Sequence, residues 1–377
     1  MSNPLTQLGD AGQAVWLDFV SRDFLQDGGL EKLVREDGLT GVTSNPSIFE
    51  KAMGQGTAYD NSLRAFLTQS DADVVDVYEH LPIEDIRAPA DILRPVYDRL
   101  DGLDGYVSLE VSPYLAMNTQ DTLEEARRLW AAVDRPNLMV KVPGTEAGVQ
   151  AIRALIEEGI NVNVTLLFSV DAYLAVAEAY VAGLEARAAA GKPIRGIASV
   201  ASFFVSRIDA QIDKKIDKRL ADGDPASAAL KTLKGKVAIA NAKVAYQHYL
   251  ELMQSDRWHA LEAKGAAPQR LLWASTGVKN PDYPDTLYVD TLVGPNTVNT
   301  MPPKTMDAFR DHGKLRASLE EDIPGAQHIM ATLEWLGISV DEVTGKVLDE
   351  GLVLFSEAMD KLLREIAGKR AAPREPA

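Results

Sequence analysis

The sequence predicts an α/β fold, namely a closed (β/α)8 barrel with additional helices. Three observations support this prediction. Short apolar segments bounded by loop residues alternate with longer segments of helical periodicity, a pattern that is typical of a parallel sheet. Eight of the short segments fall within about 290 residues, which favours a closed barrel over an open sheet. Several of them carry polar residues toward the carboxyl end of the strand, where barrel enzymes place their active sites.

The predicted strands are apolar runs that lie between turn-forming residues. They are residues 14–20, 41–45, 106–111, 138–142, 160–166, 196–202, 270–275 and 286–290. The last of them also fits a loop that crosses the barrel mouth. Helices are predicted between the strands, among them 121–130, 145–155 and 170–181, because their apolar residues recur every three or four positions.

Length alone suggests about two domains, but barrels of this kind often run long as one domain. We therefore predict that residues 1–367 form a single barrel domain. Helical insertions are predicted at about 52–104 and 207–265, where no strand pattern occurs. Residues 368–377 are predicted to be a disordered tail.

The composition excludes several classes of site. The chain has no cysteine, so disulfides, thiolate catalysis and cysteine-ligated metals are excluded. Its five histidines are scattered, and none is paired at a helical metal spacing, so no zinc site or other metal is expected. The number of histidines does not exclude a Ser-His-Asp triad, although no histidine lies in a predicted strand.

Charge and hydropathy restrict the partners and the location. A net charge of −16 makes nucleic acid and anionic membranes poor partners. No apolar run approaches the roughly 20 residues of a membrane helix, and the N-terminus lacks a secretory signal. We expect a cytoplasmic protein.

Alternation along the strands places polar side chains on one face. Glu110 alternates with apolar residues in its strand, as do Asn163 and Thr165 in theirs, while Lys141 and Asp18 are each flanked by apolar neighbours. Charged residues are rarely buried without a partner, so these positions need an explanation. One alternative is a buried ion-pair network without a function, and another is that one segment is not a strand.

The chemical explanation centres on Lys141. An amine that is desolvated by apolar neighbours loses its proton more readily and can then attack a ketone to form a Schiff base. The protonated imine is an electron sink that makes a neighbouring C–C bond breakable. Asp18 and Glu110 are candidates to move protons. Thr165 is a candidate to hold a water molecule between them, because a hydroxyl both donates and accepts.

Two loops predict a phosphate site. Residues 199–207 leave a strand with several hydroxyls and Arg207, and residues 274–280 leave the next strand with Ser275, a glycine and Lys279. Loops after late barrel strands often bind phosphate, and hydroxyls with an arginine suit phosphate oxygens. Read singly, each segment also fits an ordinary loop.

These residues lie in motifs that resemble those of transaldolases over nearly the whole chain. The motifs are Thr43-Ser-Asn-Pro-Ser47, Val107-Ser-Leu-Glu-Val111, Val140-Lys-Val-Pro-Gly-Thr145, Asn163-Val-Thr-Leu-Leu-Phe-Ser169, Ala201-Ser-Phe-Phe-Val-Ser-Arg207 and Trp273-Ala-Ser-Thr-Gly277. The resemblance implies a cofactor-free enzyme that acts on phosphorylated sugars. It would move a dihydroxyacetone unit from sedoheptulose 7-phosphate to glyceraldehyde 3-phosphate, giving erythrose 4-phosphate and fructose 6-phosphate.

The resemblance also implies roles for individual residues. Lys141 matches the Schiff-base lysine, Asp18 the proton-transfer aspartate, and Glu110 with Thr165 the pair that positions the catalytic water. Asn45 and Asn163 match residues that orient donor hydroxyls, and Ser202 and Arg207 match the phosphate site.

The sequence departs from the best-known branch of the family at the phosphate end. That branch has Ser-Phe-Arg-Asn after its seventh strand, whereas this chain has Ser275-Thr-Gly-Val-Lys-Asn280, in which Lys279 would replace the arginine. Phe203 and Ser206 stand where that branch has proline and glycine.

Two alternatives remain at this point. One is a fructose 6-phosphate aldolase of the same superfamily, although those relatives are much shorter. The other is a sugar-phosphate binding protein without activity. The oligomeric state is expected to be a monomer or a homodimer.

Overall fold

The eight strands of the computed structural model close into one parallel barrel in sequence order, from β1 to β8 and back to β1. The structure describes residues 3–54, 58–60, 62, 65–66 and 74–371. The strands are β1 (Gln13–Leu17), β2 (Gly41–Thr43), β3 (Tyr106–Glu110), β4 (Leu138–Pro143), β5 (Val162–Leu167), β6 (Ser199–Phe204), β7 (Arg270–Ala274) and β8 (Thr297–Met301). The predicted (β/α)8, or TIM, barrel is confirmed.

Helices follow the strands and cover the outside of the barrel. The first half of the described chain has helices Pro4–Asp10, Arg22–Gln26, Gly29–Asp37, Pro46–Gly54, Val74–Arg99, Thr119–Val133, Glu146–Glu158 and Val170–Ala189, with a 3-10 turn at Pro113–Leu115. The second half has Ser206–Ala221, Ser227–Leu233, Val237–Met253, Asp256–Glu262, Leu287–Thr291, Pro303–His312, Ile323–Trp335 and Val340–Ala371. None of the helices within the described ranges is long and apolar enough to cross a membrane.

The two insertions contain helices where the structure describes them. The first holds Val74–Arg99, while residues 55–57, 61, 63–64 and 67–73 lie outside the described residues. The second holds the four helices from Ser206 to Glu262. The last helix continues to Ala371, into the predicted tail, and residues 372–377 lie outside the described residues.

The prediction of the eighth strand was wrong. Residues 287–291, within and just after the predicted segment, form a helix, and the strand that closes the barrel is Thr297–Met301. Three consecutive apolar residues, Leu287 to Val289, fit a helix as well as a strand. The true strand, by contrast, reads as polar, although all of its residues are buried. The hydroxyl of Thr300 is linked to Thr43 on β2, and Oδ1 of Asn299 accepts a hydrogen bond from Thr276, which follows β7.

The barrel interior is polar because the alternation of the strands points their polar residues inward. Ser108 on β3 accepts a hydrogen bond from Asn163 on β5 across the interior, with Ser108 Oγ 2.9 Å from Asn163 Nδ2. The apolar residues of the same strands, such as Val107 and Leu109, belong to the core between strands and helices. The alternation in the sequence therefore predicted which side chains enter the barrel.

Candidate active site

A cleft of about 390 Å³ opens at the carboxyl ends of the strands. Of the predicted site residues, those that line it are Asp18, Asn45, Lys141, Thr165, Ser202, Arg207, Ser275 and Lys279. Glu110 and Asn163 do not line the cleft. They are buried in the barrel interior on either side of Lys141, with which both are in register. The fold thus brings all ten predicted residues into one region.

Lys141 lies on β4 with its side chain almost completely buried. Its Nζ donates a hydrogen bond to the carbonyl oxygen of Ser44 at 2.8 Å and lies 3.1 Å from Oε2 of Glu110. That oxygen is within ion-pair distance of the amine, yet no hydrogen-bond donor of the described protein is aligned with it. Burial raises the pKa of Glu110, and the charge of Lys141 opposes this rise without cancelling it. The arrangement places a proton-binding carboxyl beside the amine.

Asp18 follows the last residue of β1 and faces the same cleft. Its Oδ1 accepts a hydrogen bond from Oγ1 of Thr43 at 2.7 Å, and Thr43 is linked in turn to Thr300 on β8 at 2.8 Å. Desolvation by the cleft walls raises the pKa of Asp18, whereas the charge of Lys141 and the Thr43 hydrogen bond lower it. A carboxylate with a raised pKa is a better base than an ordinary one.

Asn163 is completely buried and connects three strands. Its amide donates to Oγ of Ser108 at 2.9 Å, and its Oδ1 accepts from Oγ of Ser202 on β6 at 2.7 Å. Ser202 also lines the cleft. The chain of hydrogen bonds fixes the floor of the site, since each side chain has a defined partner.

Thr165 lies next to an irregularity in β5. The pairing of β5 with β6 shifts register between Val164 and Leu167, and Leu166 has a left-handed backbone with φ of 60°. Such a conformation costs on the order of 1–2 kcal/mol for a residue other than glycine and is often found at functional sites. Oγ1 of Thr165 is buried and has no hydrogen-bond partner among the described protein atoms. It is thus available to a ligand or a water molecule in the cleft.

Asn45 caps a helix at the cleft. Its Oδ1 accepts the backbone N–H of Ile48 at 3.0 Å, at the start of the helix Pro46–Gly54. The cap fixes the side chain and uses its oxygen. The amide N–H groups, which the cap does not use, are donors suited to a substrate hydroxyl.

Three cations line one part of the cleft, which we call the cationic end: Arg207, Lys279 and Lys51. Arg207 lies in the first turn of the helix after β6, and Lys279 lies in the loop after β7. Burial lowers the pKa of Lys279, and the nearby charges of Arg207 and Lys51 lower it further. Burial also lowers the pKa of Arg207. Cations that are held together in this way destabilise one another, and a bound anion would relieve that repulsion.

Hydroxyls complete the cationic end. Ser275 follows β7 in a left-handed conformation with φ of 55°, and its Oγ lies 2.9 Å from that of Ser206. Both loops predicted to bind phosphate therefore contribute to the same part of the cleft.

Two tyrosine–aspartate hydrogen bonds, one buried and one partly buried, hold the segment after β7 against the helix that begins at Ser206. Tyr283 donates to Oδ2 of Asp213 at 2.7 Å, and Tyr288 donates to Oδ2 of Asp209 at 2.9 Å. Burial raises the pKa of Asp209 to about 7. These contacts connect the element that carries the arginine of the cationic end to the loop that carries its lysine.

Sequence reasoning missed several residues that line the cleft. They are Phe19, Thr43, Ser47, Ile48, Lys51, Phe204, Ala274, Gly277, Thr300, Pro302, Pro303 and Phe355. Helical spacing could have revealed Lys51, which lies one turn after Ser47. No local pattern could have revealed Phe355, because it belongs to the last helix, about 150 residues after Phe204.

In the part of the chain that the structure describes, no group of three or more histidine, aspartate or glutamate residues could hold a metal ion. The polar groups that line the cleft include the buried amine of Lys141, the carboxyl of Asp18, several hydroxyls and the cations of the cationic end.

The sequence is similar to those of known proteins over nearly its whole length. The sequence model of the transaldolase/fructose-6-phosphate aldolase family matches residues 15–366. A protein named transaldolase from Trichodesmium erythraeum is 48% identical, over 98% of this chain and 98% of its own length. The transaldolase of Thermobifida fusca is 48% identical over 99% of this chain and 100% of its own length. The transaldolase of Thiobacillus denitrificans is 50% identical over 94% of this chain and 97% of its own length.

The residues matched by the family model, 15–366, include all of those that line the cleft. The chain belongs to the transaldolase/fructose-6-phosphate aldolase family and is a transferase of aldehyde or ketone residues.

Proposed function

We propose that the cleft carries out the transaldolase reaction with Lys141 as its nucleophile. The enzyme moves a dihydroxyacetone unit from sedoheptulose 7-phosphate to glyceraldehyde 3-phosphate, giving erythrose 4-phosphate and fructose 6-phosphate in the pentose phosphate pathway. The observation that supports this assignment best is the buried amine of Lys141, 3.1 Å from a carboxyl oxygen of Glu110, at a cleft with a cationic end. The relatives named transaldolase support it independently.

The first step is the attack of the Lys141 amine on the C2 carbonyl of the donor ketose. The N–C bond forms and the carbonyl oxygen takes up a proton, which gives a carbinolamine. Loss of that hydroxyl as water leaves a protonated imine. Glu110 supplies the proton through a water molecule held by Thr165, because both side chains have buried oxygens without an aligned protein partner.

Cleavage of the C3–C4 bond follows. Asp18 takes the proton of the C4 hydroxyl, the electron pair of the C3–C4 bond moves into the imine, and the aldose leaves. An enamine of dihydroxyacetone remains on Lys141. The raised pKa of Asp18 makes its carboxylate a suitable base for this proton.

The second half of the reaction reverses the first. The enamine carbon attacks the aldehyde of the acceptor, and Asp18 returns its proton to the new C4 oxygen. Water then releases the product ketose from Lys141. The same groups serve both halves because the steps are the reverse of one another.

The remaining residues bind the two ends of the sugar. Asn45 and Asn163 orient hydroxyls of the dihydroxyacetone unit, since Asn45 lines the cleft and Asn163 is in register with Lys141 on the neighbouring strand. Ser202, Ser275, Arg207 and Lys279 hold the phosphate. An arginine fork with hydroxyls suits phosphate oxygens, and Lys279 adds a point charge.

Borohydride trapping tests the proposal. Reduction in the presence of fructose 6-phosphate and without an acceptor should fix a dihydroxyacetone unit on the peptide that contains Lys141, detected by mass mapping. Lys141→Met should remove the adduct, whereas Lys279→Met should keep it at saturating substrate. An adduct on another lysine, or none in the wild-type protein, contradicts the mechanism. The absence of any adduct would instead favour a binding protein without activity.

Fructose 6-phosphate aldolase is the second candidate because the matching family includes it by name. The two activities differ in the fate of the enamine. A transaldolase passes it to an aldehyde, whereas an aldolase releases free dihydroxyacetone. Product analysis with and without glyceraldehyde 3-phosphate separates them, since comparable release of dihydroxyacetone in both would favour the aldolase.

We also propose that the enzyme acts in the cytoplasm as a monomer or a homodimer. Its substrates are charged sugar phosphates, and the cleft is built from one chain. Sedimentation at several protein concentrations would test the oligomeric state, and a larger assembly would contradict it.

A further inference from the structure

The cationic end contains a lysine that neither the sequence motifs nor the proposed mechanism uses. Lys51 lines the cleft together with Arg207 and Lys279. We propose that Lys51 is a third cationic contact for the substrate phosphate and increases the preference for phosphorylated over unphosphorylated aldehydes. This inference depends on the proposed function, because it takes the cationic end as the phosphate site.

The helix that carries Lys51 faces the cleft. Ser47, Ile48 and Lys51 all line it, and a spacing of three and four residues puts their side chains on one face of the helix Pro46–Gly54. The same helix is capped by Asn45, another residue of the site. Lys51 is therefore held on an element whose position is tied to the substrate-binding region.

Lys51 has no hydrogen-bond or ion-pair partner among the residues that the structure describes. Its neighbour Glu50, by contrast, is paired with Lys361. The chain carries 55 acidic and 39 basic residues, so a lysine that faces a cleft without an acidic partner stands out. An anion that enters the cleft would supply the missing partner.

Lys51 lines the same cleft as Arg207 and Lys279 and is electrostatically coupled to Lys279. Its charge lowers the pKa of Lys279, as does that of Arg207. A phosphate monoester carries up to two negative charges and three strong acceptor oxygens, so each of three cations can contact a different oxygen. Because Lys51 is exposed, its contribution is expected to be smaller than that of the more buried Arg207.

The test compares two acceptors in the second half of the reaction. In a ping-pong mechanism, kcat/KM for the acceptor depends only on the steps that follow release of the first aldose product. Lys51→Met should lower kcat/KM for glyceraldehyde 3-phosphate by roughly three- to ten-fold. For unphosphorylated glyceraldehyde the change should stay below about two-fold, since the missing charge has no group to contact.

Matched variants make the result specific. Lys51→Arg should restore most of the preference because it keeps the charge. Lys304→Met removes an exposed lysine beside the cleft residue Pro303, and it should leave the ratio of the two kcat/KM values unchanged. Inorganic phosphate, used as a competitive inhibitor, should bind more weakly to Lys51→Met than to the wild type.

Two outcomes would overturn the inference. The first is an unchanged ratio of the two kcat/KM values in Lys51→Met, and the second is an equal loss for both acceptors, which would indicate a structural role. Borohydride trapping on the same variants separates this inference from the proposed function. If Lys141 is trapped while the ratio is unchanged, only the role of Lys51 fails. If Lys141 is not trapped in the wild type, the proposed function fails.

Discussion

At the scale of the residue, the site is a buried amine with two carboxyls in similar surroundings. The pKa values of Asp18 and Glu110 are both raised by burial, and the charge of Lys141 opposes the rise in both. The charge of Asp18 also raises the pKa of Glu110, so the protonation of one carboxyl affects that of the other. Small changes in their hydrogen bonds should therefore change how activity depends on pH.

Thr43→Val tests this coupling at Asp18. The hydroxyl of Thr43 donates to Asp18 and lowers its pKa, so its removal should raise that pKa further. Asp18 must be ionised to act as a base. The acidic limb of the pH profile of kcat/KM should therefore move to higher pH, while activity at alkaline pH changes little.

Thr40→Val is the matched control for that measurement. Thr40 precedes β2, at the other end of the barrel, and its hydroxyl donates to Asp104. Its removal should leave the acidic limb in place. If the limb moves equally in both variants, or in neither, then Thr43 does not control the protonation of Asp18.

At the scale of the element, loops after β6 and β7 form the cationic end, and the packing of one helix sets their relative position. The helix Ser206–Ala221 carries Arg207 and Asp209 in its first turn and Asp213 one turn later, and the two aspartates hold the tyrosines. Gly235 has φ of 67°, and a Cβ atom there would lie 2.8 Å from the ring of Tyr283. The tyrosine thus fits closely between this glycine and Asp213.

Tyr283→Phe should disturb the cationic end without changing the surroundings of the Lys141 amine. The loss of the hydroxyl leaves Asp213 without one of its donors and frees the loop that carries Lys279. KM for glyceraldehyde 3-phosphate should rise by roughly three- to ten-fold with little change in kcat. The free energy of unfolding should fall by about 1–3 kcal/mol.

A control for this variant must remove a similar hydrogen bond elsewhere. Tyr246→Phe does so, because the Tyr246 hydroxyl donates to the carbonyl oxygen of Pro295 at 3.0 Å, away from the cleft residues. It should lower stability without raising KM. Equal KM values in the two variants would mean that Tyr283 contributes only to stability.

At the scale of the whole molecule, the last helix completes the cleft. Phe355 lies in the middle of Val340–Ala371 and lines the cleft with only 5% of its surface exposed. The helix is tied to the rest of the protein by a hydrogen bond between Tyr114 and Asp360 and by the Lys361–Glu50 ion pair. The C-terminal part of the chain therefore covers a site that the barrel strands build.

Phe355→Ala should change the fate of the enamine. A smaller side chain admits water to the cleft, and protonation of the enamine carbon followed by hydrolysis releases free dihydroxyacetone. The ratio of released to transferred dihydroxyacetone should rise several-fold, roughly the effect of a 1 kcal/mol change in partitioning. Product analysis in the presence of an acceptor measures this ratio.

Leu354→Ala is the control, because Leu354 lies on the same helix and is 48% exposed. It should leave the ratio unchanged. A similar rise in both variants would indicate a general loosening of the helix, and no rise in Phe355→Ala would show that this ring does not exclude water from the intermediate.

Much of the fold and of the site followed from local sequence. Seven of the eight predicted strands overlap β1 to β7, because the alternation of apolar and polar residues is a property of each strand alone. The same alternation predicted Lys141, Glu110 and Thr165 as inward-facing. The carboxyl ends of all strands of a parallel barrel meet at one mouth, so the sequence order of these residues was enough to bring them together.

Only the tertiary structure decided the rest. The closing strand β8 reads as polar and becomes a strand because it pairs with β1 and β7, while Thr300 and Oδ1 of Asn299 find hydrogen-bond partners in other parts of the barrel. Lys51 and Phe355 face the cleft because of how their helices pack, which depends on contacts between distant parts of the chain. The sequence by itself determined that Lys141 and its neighbours lie on the inward face of the strands, since this depends on strand periodicity. The shape and charge of the cationic end depend on the packing of helices and loops, which no local sequence pattern encodes.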